Sequence, residues 1–171
     1  MDVQELFLDS LAKADGDLRR AVDGLSRDEL MAQPAGPRSN PIGWLLWHLT
    51  RTQDNLGSRA TGKATVWASQ KWYEKFGLEE TPASYKPDTV NTFDPKSLDI
   101  IMGFYDAVYA STQEWAKVLK QADFDRESPA ANPNQPSRTV RELLAIIVND
   151  VVQHVGQVAF LRGMLREQGW Y

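Results

Sequence analysis

Residues 139–167 read TVRELLAIIVNDVVQHVGQVAFLRGMLRE, and the fold turns on how this stretch is taken. Its apolar residues recur at three- and four-residue steps throughout, the period of a helix with a buried face. Thr139 with Glu142 forms a capping box that opens the helix, which is expected to run to about Glu167. On the helical wheel Leu143, Ile146, Ile147, Asp150, His154, Gln157, Leu161, Met164 and Leu165 share one face. Asp150 and His154, one turn apart, therefore point inward together. A carboxylate on such a face is costly unless a cation meets it.

The chain has one other histidine. His48 lies in PIGWLLWHLTRTQDN, residues 41–55. Asn40 is a good N-cap and Pro41 suits a first helical position, so this second helix is expected from there to about residue 60. Trp44, Thr52 and Asn55 fall on the His48 face and are candidate pocket residues. If that face packs on the Asp150/His154 face, two imidazoles and a carboxylate converge, as in metal sites built between facing helices. Without thiolate, such a set suits zinc first, with nickel or iron(II) as alternatives. Three protein ligands leave a position for water or substrate. Gln157, one turn past His154, could orient a ligand. Two plainer readings stand beside this one. A lone inward histidine is commonly a satisfied core residue, and Asp150 could orient His154 without touching a metal.

The rest of the chain is also helical in pattern. Val3, Leu6, Phe7, Leu11, Ala14, Leu18, Ala21, Val22 and Leu25 give a first helix over about residues 3–23. Ser26 and Glu29 cap a short turn that stops near Pro34. The segment from Gly57 to Phe93 is irregular and aromatic-rich. Within it Thr65 to Phe76 reads as a short helix closed by Gly77, and the segment suits a satellite hydrophobic cluster or dimer contact, with a lid as the alternative. Asp94-Pro95 repeats the cap-plus-proline signature before a third long helix, whose inner side carries Leu98, Ile101, Met102, Tyr105, Val108, Thr112, Trp115 and Leu119. Residues 121–137 read as a loop, and no β-alternation competes. Four long amphipathic helices argue for an all-α four-helix bundle, a single domain over 1–171. Tyr105 and Tyr109 are expected in the core, and Asp54 and Arg162 at the surface.

Composition excludes several functions. The 171 residues carry a net charge of −4 with Lys and Arg scattered among the acids, so no basic stripe invites nucleic acid. Cysteine is absent, which removes disulfides, thiolate ligands and a cysteine nucleophile. The apolar runs are short and the N-terminus is amphipathic, so neither a membrane span nor a signal peptide is expected. A cytoplasmic protein is the resulting expectation.

Three stretches resemble one family. NPIGWLLWHLTRTQD resembles the first metal-helix motif of the DinB-like superfamily. TVRELLAIIVNDVVQHVGQVAFLRGML resembles its last helix, where H-x-G-Q precedes an apolar pair and Leu-Arg. GLSRDELMAQP resembles its turn between the first helices. The resemblance implies a bundle in up-down-down-up order, often a homodimer, with a metal on His48, Asp150 and His154. Many members place a histidine where Asp150 stands. Members similar to mycothiol-dependent maleylpyruvate isomerase carry glutamate there, so a carboxylate is compatible. It further implies a small-molecule substrate and thiol-dependent S-transfer or isomerisation using mycothiol or bacillithiol. Metal-dependent amide or ester hydrolysis and a non-catalytic, stress-associated metal-binding bundle are the alternatives.

Overall fold

Three- and four-residue apolar spacing becomes a set of packed helices in a computed structural model, which describes residues 3–80, 90, 92–128 and 136–169. Helix α1 spans Val3–Val22 and buries Phe7, Leu11, Ala14, Leu18 and Ala21, the three- and four-residue rhythm of its sequence. Ser26 then caps α2, Arg27–Met31, through a complete capping box with Glu29. Helix α3, Ile42–Thr61, ends where Gly62 takes a left-handed conformation, φ 73°. Its N-cap is Pro41, with no side-chain cap, so Asn40 does not play the role its residue type suggested.

Beyond α3 the expected helix over 65–76 is two pieces, α4 (Val66–Ser69) and α5 (Trp72–Phe76), broken by Lys71 at φ 53°. Gly77 closes α5 in the left-handed region as expected. Both pieces deliver aromatics to the core. Trp67 is 1% exposed and lies 5.3 Å from Phe104, 5.7 Å from Phe76 and 6.0 Å from Trp47, ring centre to ring centre. This part of the insertion is therefore an extension of the main core, and residues 81–89 and 91 lie outside the described residues.

Helix α6, Leu98–Ala116, is capped by Ser97, which accepts from the Ile100 N–H. Asp94-Pro95 does not cap it. Asp94 accepts from the Lys96 N–H at 2.9 Å, and Pro95 sits on Gly43, where an added Cβ would come within 2.7 Å of its ring. That close approach needs a residue without a side chain. The connection that follows is not all loop. Residues 121–123 form a 3-10 turn, and β1 (Glu127–Ser128) pairs antiparallel with β2 (Arg138–Thr139). The chain here also supplies carbonyls of Arg126 and Phe124 to the N–H groups of Val140 and Arg141, donors that a helix start leaves without intrahelical partners. Residues 129–135, with Pro129 and Pro133, lie outside the described residues.

Helix α7, Val140–Arg166, begins with the Thr139/Glu142 capping box and packs against both α1 and α3, while α6 packs on α3 and α1. Because α7 has two neighbours, its buried seam is wider than, and rotated from, the expected stripe. Leu143, Leu144, Ile147, Val151, Val155, Val158 and Leu161 form it. Asp150 and His154 sit at its edge, half-buried, and Gln157 and Met164 are exposed. By length and mean hydropathy, 1.5, α7 is apolar enough to cross a membrane, which runs of apolar residues alone did not suggest. A core helix packed on two neighbours can have the same composition, and 39% of this apolar stretch is buried. The architecture is all-α, with a single two-residue strand pair among the described residues.

Candidate metal centre

Helices α3 and α7 pack directly, and this contact joins the two distant stretches of sequence. His48 projects from α3, and Asp150 and His154 project from α7. Asp150 Oδ1 stands 3.9 Å from His48 Nε2 and 3.6 Å from His154 Nε2. The three possible ligand atoms all lie within 4.8 Å of one another. Donors bound tetrahedrally at ordinary zinc distances are about 3.4 Å apart, so this set could hold one ion after small side-chain adjustments. The imidazole rings are nearly perpendicular, 84°, with centres 4.9 Å apart.

Three further observations fit a cation. Asp150 Oδ2 is buried and accepts no hydrogen bond, an expense that a metal or its ligands would offset. His154 Nδ1 lies 2.7 Å from Gln157 Oε1. An amide oxygen only accepts, so in the neutral ring the proton sits on Nδ1 and the Nε2 lone pair faces the cluster. His48 is stacked on Trp44, ring centres 4.7 Å apart and planes 12° apart, which fixes the plane of its ring.

The protonation balance differs between the two imidazoles. Burial holds the His48 pKa below its ordinary value, against the pull of the Asp150 charge. Burial also opposes a charge on His154, but Asp150 and Gln157 outweigh it and raise that pKa. Side-chain exposures of 24%, 19% and 12% for His48, Asp150 and His154 leave the cluster reachable from solvent.

Of the other expected pocket residues, Trp44 is buried and in contact, Thr52 is half-buried and Asn55 is exposed. A cleft of about 330 Å³ adjoins it on the Gln157 side, walled by Leu45, Leu161 and Phe160 and carrying Arg38 and Asn40. Arg38 stood out by no sequence signal, because only the folded α2–α3 connection brings it beside α7.

Asp54 corrects an expectation. It is 5% exposed and its two oxygens accept from the N–H groups of Val66 and Trp67 at 2.8 and 2.9 Å. Burial raises its pKa, against those two bonds and Arg51. Arg51 in turn lies 4.6 Å over the Trp67 ring. Asp54 thus fastens α4 to α3. The signal for it was the apolar Val66-Trp67 pair after a turn, which needs N–H acceptors once buried. Arg162 is half-buried, with only its Nε buried and unpartnered. Tyr105 is in the core as expected, 2% exposed.

The fold and the site define an all-α chain with two histidines and an aspartate that could hold a metal ion. A model of the DinB superfamily matches residues 10–158, and the chain belongs to that superfamily. The crystal structure of a conserved protein from Enterococcus faecalis superposes with a TM-score of 0.85, covering 98% of this chain and 99% of that one at 22% identity. It is similar in fold. No curated protein matches the chain.

Proposed function

We propose that this chain is a divalent-metal-dependent enzyme acting on a small molecule, with His48, Asp150 and His154 as the protein ligands. The observation that carries the reading is the convergence of three donor atoms within 4.8 Å, with His154 Nε2 directed at the others by Gln157. Zinc is the proposed ion, with nickel or iron(II) as alternatives for an N,O donor set. Such a cation supplies Lewis acidity, which favours thiolate over thiol near neutral pH.

The chain's own groups have separable tasks. His48 and His154 bind, and Asp150 binds while lowering the net positive charge. Gln157 holds the His154 tautomer, and Trp44 covers one face of His48. Partial exposure of all three ligands supports an open, catalytic site over a closed, structural one. The proposed reaction class is thiol-dependent S-transfer or isomerisation, with mycothiol or bacillithiol as the co-substrate; that choice rests on the superfamily resemblance. A cytoplasmic location goes with it. The protein is further proposed to be a homodimer that binds neither nucleic acid nor membrane.

Elemental analysis of untagged protein purified without chelator tests the site. The expected result is close to one divalent ion per chain, falling to a small fraction in His154→Ala. Near-full metal in that variant overturns the assignment. Assays with acyl, amide and electrophilic substrates, with and without added thiol, test the chemistry. Turnover that ignores thiol shifts the reading to metal-dependent hydrolysis.

A further inference from the structure

A second cleft lies on the far side of α3. Gly57 follows His48 by two and a half helical turns and so faces away from the metal ligands. There α3 and α6 enclose about 270 Å³, with Gly57 and Trp115 on opposite walls. Trp115 is 9% exposed, and its indole Nε1 is not fully buried but borders the cleft beside Gly57. A Cβ built on Gly57 would lie 3.2 Å from Trp115 Nε1 and 3.4 Å from Cζ2. The glycine therefore keeps open the space in front of that donor.

The other polar groups define what fits. Thr112 accepts from Gln53 Nε2 at 2.9 Å, which leaves its own hydroxyl proton to donate. Gln53 Oε1 is buried without a partner directly behind this wall, and Ser111 adds a hydroxyl beside Thr112. Charge argues for neutrality. Asp54 borders the cleft, but its oxygens are committed to Val66 and Trp67, and Lys63 and Glu114 together contribute no net charge. An anion would meet those carboxylates, and a cation could not accept from the indole.

We propose that this cleft is a ligand site distinct from the metal centre, which takes a small neutral polyol or sugar-sized ring. One ligand oxygen accepts from Trp115 Nε1–H over Gly57, and its hydroxyls exchange hydrogen bonds with Thr112 and Ser111. The volume suits a monosaccharide or smaller and excludes drug-sized molecules.

The test uses the intact protein labelled with nitrogen-15. The Trp115 indole cross-peak is identified by its loss in Trp115→Phe and followed while glycerol, myo-inositol and D-glucose are added, with acetate and methylammonium as charged controls. The proposal expects a saturable shift of that peak with at least one neutral probe. Gly57→Ala should weaken it about tenfold or more, with the metal content unchanged. Alanine is the better helix former, so this variant is expected to fold. The proposal is overturned if no neutral probe moves the peak, if a charged control binds more tightly, or if Gly57→Ala binds as the parent does.

Discussion

Gln157 is exposed, yet its contact with His154 Nδ1 determines which nitrogen of the neutral imidazole carries the proton. Truncating it should therefore act on metal affinity and not on stability. Gln157→Leu is expected to weaken metal binding roughly tenfold or more, the usual scale for groups that orient a ligand, with an unchanged melting temperature. Competition with a chromophoric chelator measures the first and thermal denaturation the second; unaltered affinity would remove Gln157 from the site. The Asp150/His154 pair was readable because residues one turn apart must share a face whatever surrounds them. Asp54 was not, since its role depends on a partner, the start of α4, that lies outside its own helix. Arg38 was hidden for the same reason.

At the scale of elements, caps built from two side chains were readable and caps inferred from proline were not. Ser26/Glu29 and Thr139/Glu142 are each reciprocal and local, so neighbours hardly affect them. Asn40-Pro41 and Asp94-Pro95 failed because proline fixes only its own φ. Tertiary contact decides the rest, as with Pro95 lying on Gly43. The first capping box also ties α2 to α7, because Arg166 Nε lies 2.6 Å from Glu29 Oε1. The Ser26 backbone N–H, foremost, and Arg166 hold the Glu29 pKa below its ordinary 4.5. A carboxyl depressed in the folded state stabilises above its unfolded pKa, and that contribution is lost as pH falls through the folded value. Urea midpoints of Glu29→Gln should accordingly lie below those of the parent at neutral pH and converge on them in acid below 4.5. A constant offset across the whole range would show that the ionised carboxylate is not the cause.

Across the whole molecule, the pairing of α3 with α7 was the inference that mattered, and apolar stripes alone made it plausible without fixing rotation. The helix faces were predicted too narrow because a wheel assumes one neighbour and α7 has two. Its outer side remains apolar. Phe160 is 66% and Val152 53% exposed, and Leu6 on α1 is 51% exposed at the edge of an apolar groove between α1 and α7. Burying a phenylalanine that is exposed in the free chain stabilises an interface by about 1.5–3 kcal/mol. The proposed homodimer should therefore be lost in Phe160→Asp, with circular dichroism and metal content preserved. Sedimentation of both proteins decides the matter, and a monomeric parent at micromolar concentration ends the proposal. One consequence of the metal cluster concerns how this chain can diverge. All three donors ride on two helices in direct contact, so a single inter-axial spacing sets the cage. Insertions or deletions in the connecting segments can then accumulate without retuning it, whereas a one-residue slip in α7 would dismantle it at once.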